Sequence, residues 1–479
     1  MKYIFTFLFV TTLININAQQ WVTKKYSYDS TMNVTYGTAI NFNGRIDTLR
    51  MDIYEPDCGN TSLTLKKPLM IWIHGGAFLA GSKNEASISN LCKQFAKRGY
   101  ITASIDYRLG FVSDDAAWNC NFPNYSCIFA GDSAEWIRAW YRGVQDAKGA
   151  LRYLVNRSSQ FKIDVNNIFV AGESAGSLIS LGVGLLDTII ERMPQTFAIG
   201  ALANPNNNAL NCTYNVNQTF TSSNVPRPDL GGIEGIIEPT IISYTIKGIG
   251  NNYGAMFSNL LRYNQIAHTK PAIYSFHQPC DIVVPIDSGL VYQGLSWCMT
   301  NGYNCYAIKN TAKLYGSRAF SNWNTNNNYG YTIHNEFTST AFPYSFLFGT
   351  GSCADQVNNP CHAYDNSTLR ENNLANFFAP LISASAMCDT TSTTGIELFE
   401  KKSKFLMYPN PVVNILNVLV KQFDEGTLKI STILGLPVKE ISLKQDRTEI
   451  DLTAFSRGIY YVTFTNKYGS SSSSKIIKY

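Results

Sequence analysis

The stretch Ile168-Phe-Val-Ala-Gly-Glu-Ser-Ala-Gly-Ser177 restricts the fold of this chain more than any other. Its first four residues are an apolar run of strand type, followed at once by Gly172-Glu173-Ser174-Ala175-Gly176. Leu178, Leu181, Val183 and Leu185 then open an apolar helix. A strand that turns into a helix through G-x-S-x-G is so tightly bent that its flanking positions must be glycine, and the turn lifts the serine hydroxyl out at the top of a sheet. The five-letter pattern alone occurs by chance in many chains. The strand before it and the helix after it are what make it a nucleophile elbow. Ser174 is therefore the candidate nucleophile.

The segments around the elbow fit one sheet. Residues 34–56 hold two short alternating runs, and Leu49, Met51 and Ile53 with their polar neighbours predict an edge hairpin. Pro68-Leu-Met-Ile-Trp-Ile-His74 reads as a buried strand, residues 83–98 as a helix, and Tyr100 to Tyr107 as another strand. Ile137, Trp140, Val144, Ala147, Leu151 and Leu154 recur at steps of three and four, one face of a long helix that leads into the elbow strand. Strands alternating with helices predict a mainly parallel sheet covered on both faces. Residues 191–240 are Asn-, Thr- and Pro-rich and are expected to form a lid insertion. Pro271 to His277 and Tyr329 to Phe337 read as further strands, 296–328 and 338–366 as polar loops, and 367–383 as the last helix. A Thr/Ser-rich linker at 389–403 precedes short alternating strands over 404–479, predicting a small all-β sandwich.

Composition narrows the class. With 479 residues, 45% of them hydrophobic, the chain has enough apolar material for a packed core and two or three units. A net charge of +5 without a Lys/Arg-dense run gives no nucleic-acid surface. Lys2, the apolar run Tyr3 to Leu13 and Asn15-Ile-Asn-Ala18 make residues 1–18 a cleavable signal peptide, too short in its apolar part to span a bilayer. No other segment is long and apolar enough to cross. Export makes the eleven cysteines candidates for disulfides. Cys120 with Cys127, Cys298 with Cys305, and Cys353 with Cys361 are close in sequence, while Cys58, Cys92, Cys212, Cys280 and Cys388 stay unassigned. The odd total leaves at least one thiol free. Zinc is the rival reading, but no C-x-x-C pair or Cys/His cluster at ligand spacing exists.

A serine nucleophile needs three companions. His74-Gly75-Gly76-Ala77-Phe78 closes a strand, and its glycines let backbone N–H groups converge on a developing oxyanion, with the Ala175 N–H as a further donor. Asp281 in His277-Gln-Pro-Cys-Asp-Ile-Val-Val-Pro285 is the candidate acid, with Asp287 a competitor further from the strand end. For the base, two of the five histidines remain open, His334 and His362. His334 sits within the last strand, where a side chain packs into a layer. His362 lies on a loop before the last helix, from which a ring can swing over the serine, and the topology favours it. Glu173 fits either a group supporting the site or a structural acid.

Trp72-Ile-His-Gly-Gly-Ala-Phe-Leu-Ala-Gly-Ser82, Asp106-Tyr-Arg-Leu-Gly110, Gln145-Asp146 with Ala150-Leu-Arg-Tyr-Leu154, and Gly172-Glu-Ser-Ala-Gly176 occur in order. Together they resemble the type-B carboxylesterase and hormone-sensitive-lipase branch of the α/β-hydrolases. The resemblance implies an α/β-hydrolase fold with Ser174 as nucleophile, Asp281 as acid, and the Gly75, Gly76 and Ala175 amides as oxyanion donors. The position of His362 before the last helix fits the base of that family. Ala77 stands where relatives commonly carry a third glycine, which narrows the acyl pocket or shifts preference away from bulky tertiary-alcohol esters. Tyr408-Pro-Asn-Pro411, Gly458-Ile-Tyr-Tyr461 and Lys475-Ile-Ile-Lys478 resemble the three short signatures of a type IX secretion sorting domain.

The expectation is thus a secreted or surface-held serine esterase, needing no metal or organic cofactor. Its partners would be a small-molecule or carbohydrate-linked ester and the secretion machinery. A peptidase or amidase on the same triad, or an inactive hydrolase-fold adhesion protein, are the alternatives.

Overall fold

The computed structural model describes residues 21–57, 66–111, 133–203, 209–211, 216–218, 224–262, 270–281, 283–290, 312–337, 361–383, 405–420, 425–433, 435–466 and 471–479. They fall into two compact units that divide at Thr390/Thr391. The signal peptide, Cys58, Cys120, Cys127, Cys212, Cys298, Cys305, Cys353, Cys388, most of the 338–366 loop and the 389–403 linker lie outside the described residues.

The first unit is built on an eight-stranded sheet. Its strands are β1 (Ser27–Ile40), β2 (Ile46–Asp57), β3 (Lys67–Ile73), β4 (Ile101–Ile105), β5 (Ile163–Glu173), β6 (Ile246–Asn252), β7 (Ala272–Phe276) and β8 (Ile333–Glu336). Their order across the sheet is β1-β2-β4-β3-β5-β6-β7-β8. β1 and β2 form an antiparallel hairpin and β2 pairs antiparallel with β4, whereas every pairing from β4 to β8 is parallel. The central strands are buried on both faces, and apolar residues dominate β3 and the run Ile168–Ala171 of β5 because helices cover both sides. Leu69, Ile71 and Ile73 of β3 and Ile168 and Val170 of β5 join one core. The alternate residues Met70, Trp72, Phe169 and Ala171 join the other. The hairpin at the edge is instead half wet and carries two register shifts, which twist it away from further pairing.

Among the described residues the longer helices that flank the sheet are α1 (Ala86–Ala96), α2 (Ser133–Asn156), α3 (Ala175–Leu185), α4 (Ser317–Asn327) and α5 (Ser367–Phe378). α1 and α5 bring Phe95, Leu374 and Phe378 to the core that holds Trp72 and Phe169. α2 and α3 cover the opposite face, where Trp140, Val144, Leu178 and Leu181 are buried.

The apolar face of α2 is as its periodicity predicts, yet Arg138, Arg142, Gln145, Lys148 and Arg152 on the other side are buried too. Arg142 donates to the Gly110 carbonyl at 2.9 Å, and the insertion that runs along the helix receives most of the other donors. Arg138 donates to the carbonyls of Gln195, Phe197 and Pro228, and Gln145 to those of Leu230 and Gly232. Lys148 and Arg152 share Glu234 at 2.5 and 2.9 Å. The described part of the 191–240 insertion is therefore fastened to this helix by cation-to-carbonyl bonds.

One expectation fails here. The 296–328 region is not all loop: Lys313–Gly316 is a strand and α4 follows it. α4 carries only Phe320 and the partly buried Trp323 as large apolar anchors among Asn, Ser and Thr, so its period is nearly silent in the sequence. It stops at Asn328, whose left-handed φ of 51° is a helix-ending conformation that asparagine tolerates.

The second unit has two antiparallel sheets. One holds β9 (Phe405–Tyr408), β10 (Ile415–Val420) and β13 (Arg447–Asp451). The other holds β11 (Gly426–Thr432), β12 (Pro437–Leu443), β14 (Gly458–Asn466) and β15 (Ser471–Lys478). Leu416, Val418, Leu428, Ile430, Ile450, Val462, Phe464 and Ile476 fill the core between them. The three short signatures meet in space. Asn410 donates to the Lys475 carbonyl and accepts from the Ile477 N–H, both at 2.9 Å, while Gly458 and Ile459 pair with Lys478 and Ile477.

Candidate active site

Ser174 sits between β5 and α3 with φ 53° and ψ −121°, a conformation that a non-glycine residue holds only under constraint. The constraint comes from both flanks. A Cβ on Gly172 would stand 2.3 Å from Gly176, and one on Gly176 would stand 2.1 Å from the Ile73 carbonyl oxygen of β3. Either substitution would push the elbow off the sheet. Hydrogen bonds complete the fixation. The Ser174 N–H donates to the Asn252 carbonyl at 3.0 Å, and Asn252 Nδ2 donates to the Gly172 carbonyl at 2.9 Å. The buried Ser177 hydroxyl donates toward the Gly172 and Asn252 carbonyls and accepts from the Asn252 N–H at 2.8 Å.

His362 and Asp281 meet this serine. His362 Nε2 is 2.7 Å from Ser174 Oγ, and His362 Nδ1 is 2.7 Å from Asp281 Oδ2. A carboxylate only accepts, so Nδ1 carries the proton and Nε2 is left to accept from the serine hydroxyl. His334 lies elsewhere: it is exposed on edge strand β8, stacks on Tyr274 and Phe377, and is 3.2 Å from Glu336. Asp287 forms an exposed ion pair with Arg318.

Asp281 is buried, which alone would raise its pKa. The charge of His362 beside it and hydrogen bonds from His277 and His362 reverse this and hold the carboxyl down at about 2. Its Oδ1 accepts from the N–H groups of Val283 and Val284 at 2.8 and 3.0 Å. His277 stands behind it, with Nε2 3.2 Å from Asp281 Oδ2 and 3.0 Å from the Val284 carbonyl. Both are acceptors, so Nε2 donates, and Nδ1 accepts from the Ser317 hydroxyl at 2.9 Å. Ser317 in turn accepts from Asn251 Nδ2 at 2.9 Å. A path of polar groups thus runs from β6 to Ser174.

A disulfide ties Asp281 to His362. Cys280 and Cys361 are bonded, each immediately before one of the two residues, across 81 residues of sequence. This overturns the pairing of Cys361 with Cys353. The elbow draws the β7 and pre-α5 loops together, so Cys361 faces a cysteine remote in sequence. Cys92 is free and buried, and burial pushes its thiol pKa well up, so it is inert packing.

The glycine turn after β3 lies against the elbow. Gly76, Ala77 and Phe78 have φ of 101°, 57° and 61°, so the chain coils back on itself, and a Cβ on Gly75 would stand 3.2 Å from Ser174 Cβ. Ala175 begins α3, where helix geometry leaves N–H groups without intrahelical partners. His74 is buried, stacks on Tyr107 at 4.4 Å, and donates from Nδ1 to the Gly75 carbonyl at 2.7 Å. Burial lowers its pKa to about 4, so the ring is neutral and holds the turn. Glu173 is buried beside the serine and accepts from Ser87 Oγ at 2.9 Å; burial outweighs that bond and raises its pKa to about 7.

Asn252, Ser177, His277, Ser317 and Asn251 were not legible as site residues. The one local signal is the polar pair Asn251-Asn252 closing the strand Ile246–Asn252, a position where a buried amide needs a purpose. No group of three or more His, Cys, Asp or Glu at metal-binding geometry occurs among the described residues, and none of their helices is long and apolar enough to cross a membrane.

Comparison with known proteins gives two family matches. The model described as BD-FAE matches residues 51–121 and 137–219, and the secretion system C-terminal sorting domain matches residues 406–479. Bile salt-activated lipase of Homo sapiens is 31% identical over 152 residues, 30% of this chain and 17% of that protein. Gut esterase 1 of Caenorhabditis elegans is 28% identical over 131 residues, 27% and 20% of the two chains. Para-nitrobenzyl esterase of Bacillus subtilis (strain 168) is 29% identical over 138 residues, 28% and 23% of the two chains. The chain spans about a fifth of the length of these curated relatives. Among solved structures, a truncated carbohydrate esterase from gut microbiota is 15% identical with a TM-score of 0.38, over 75% of this chain and 97% of that one. The resemblance drawn from the residues stands: a carboxylesterase-like α/β-hydrolase unit is followed by a sorting unit.

Proposed function

We propose that this chain is an exported serine esterase that cleaves carboxylic esters through an acyl-enzyme. The observation that carries the reading is the unbroken hydrogen-bond path from Ser174 through His362 to Asp281, with both links at 2.7 Å. As Ser174 Oγ bonds to the ester carbonyl carbon, its proton passes to His362 Nε2, and the oxyanion is met by the amides of the Gly75-Gly76 turn and Ala175. Collapse breaks the bond to the alkoxy oxygen, which leaves as the alcohol with the proton from His362. Water then repeats the sequence on the acyl-enzyme and releases the acid. Asp281 keeps the imidazole in the tautomer this requires and stabilises the imidazolium. The match over residues 406–479 supports passage through a secretion system to the cell surface or beyond.

The test is hydrolysis of p-nitrophenyl acetate by wild type, Ser174→Ala, His362→Ala and His334→Ala. Loss of a triad member is expected to lower kcat by about 10³-fold or more, with His334→Ala close to wild type. Undiminished turnover in Ser174→Ala would refute the esterase reading. Turnover of anilide but not ester substrates would favour an amidase.

A further inference from the structure

A cavity of about 310 Å³ lies between the turn of the β1–β2 hairpin, α2 and the 225–237 part of the insertion. That is the size of a small-molecule site. Ser174, Asp281 and His362 are not among its described walls.

Four arginines line the cavity, and three of them are already engaged. Asp146 holds Arg108 through contacts of 2.8 to 3.0 Å. Arg138 is spent on the carbonyls of Gln195, Phe197 and Pro228. Arg227 donates to the Gly200 carbonyl at 2.6 Å and faces Glu135 at 3.7 Å. Asp229, the third acid of the walls, pairs with Arg192.

Arg142 differs. It is 2% exposed, and among the described residues its five N–H donors find one acceptor, the Gly110 carbonyl at 2.9 Å. Its Nε has no hydrogen-bond partner, and no carboxylate of the described residues pairs with it. Burial lowers its pKa to about 9, with Glu135 favouring the charge and Arg108 and Arg138 opposing it. The group is still a cation at neutral pH. A buried charge without a counter-charge in contact is costly until an anion supplies one.

Other parts of the wall are apolar. Val225 and Ile237 are buried and Phe42 is half-buried, whereas Ile40 and Ile236 are 65% and 89% exposed. An apolar body seated there would cover surface that now faces water. A dianion fits poorly, because Glu135, Asp146 and Asp229 share the walls and one cation is unmatched.

We propose that this cavity is a binding site for a small monocarboxylic acid with an apolar body, its carboxylate on the Arg142 guanidinium and its body against Ile40, Phe42, Val225 and Ile237. A flat guanidinium is the side chain best matched to a carboxylate, through charge-assisted hydrogen bonds. Binding here does not depend on the esterase reading, since no residue of the proposed triad takes part.

The experiment is isothermal titration calorimetry of the full chain with sodium benzoate. Benzyl alcohol serves as the uncharged counterpart and sodium sulfate as a dianion without an apolar body. Benzoate is expected to bind at least about tenfold more tightly than either. Arg142→Gln is expected to weaken benzoate binding about tenfold or more. Ile40→Asp, at an exposed position, brings a negative charge to the cavity and is expected to weaken it as well, which keeps the test alive if loss of Arg142 unfolds the chain. Benzyl alcohol or sulfate binding as tightly as benzoate would overturn the proposal. So would benzoate binding that is unchanged in Ile40→Asp and in folded Arg142→Gln, because the acid would then sit elsewhere. A wild type that does not bind benzoate at all would overturn it while leaving the esterase reading intact.

Discussion

Glu173 shows how one residue's surroundings turn into a dependence of the whole fold on pH. Its carboxyl ordinarily titrates near 4.5, and burial raises it to about 7. Between those two values the folded protein keeps the proton and the unfolded chain releases it. Stability is therefore greatest at the acid end of that window and falls as pH rises through it, levelling off above about 7. The full difference is of the order of 3 kcal/mol. Gln in place of Glu173 keeps a partner for Ser87 and removes the titration. The Tm of Glu173→Gln relative to wild type should therefore rise between pH 5 and pH 8, and an offset identical at both values would contradict this account. Asp281 has the opposite sign: held at about 2, it stabilises the fold above its ordinary value of 3.8 and loses that contribution as pH falls toward 2. Both behaviours come from neighbours that no local window of sequence displays. Ser174 differs in this respect, because Gly172 and Gly176 beside it are required by sterics alone and can be read from the string. His362 could be preferred over His334 on topology but not fixed from the string, since what separates the two is which loop end faces the elbow.

At the scale of elements, the alternation of apolar strands and helices was enough to derive the parallel sheet. The strand–turn–helix about Ser174 was legible for the same reason. The polar face of α2 was not, because burial of Arg138, Lys148 and Arg152 depends on carbonyls and an acid far along the chain, at 186–238. The α4 helix was missed because two aromatic side chains do not make a period. The disulfide was misassigned because proximity in sequence counts for little once a sheet has brought distant loops together. Cys280–Cys361 closes a loop of 81 residues, for which chain entropy gives about 4.5 kcal/mol of stabilisation. It also fixes the separation of Asp281 and His362. The double variant Cys280→Ala/Cys361→Ala is expected to unfold at lower denaturant and to lose about tenfold or more in kcat with a smaller change in KM, since positioning errors act on the reacting geometry. Thermal unfolding and initial rates on p-nitrophenyl acetate measure the two effects. A variant with wild-type kcat would show that the sheet alone holds the acid and base in register.

Over the whole molecule, the two units divide the work. Among the described residues, all the groups argued to do chemistry belong to the first, whereas the second gathers Asn410, Gly458 and Ile477 into one hydrogen-bonded corner. If that corner is read by an export machine and then removed, mass spectrometry of protein recovered outside the cell should find the chain ending within residues 389–403. Recovery of released protein that still ends at Tyr479 would speak against removal.

If Asp281 and His362 serve Ser174 as proposed, the clamp between Cys280 and Cys361 has a consequence for when the chain can act. Thiols stay reduced in the cytosol, and a bond between them forms in an oxidising compartment. A chain whose acid and base depend on that bond for alignment would be a poor catalyst in a reducing compartment and would mature only once exported. Oxidation would then act as a safety catch, sparing the maker's own esters until the hydrolase has left.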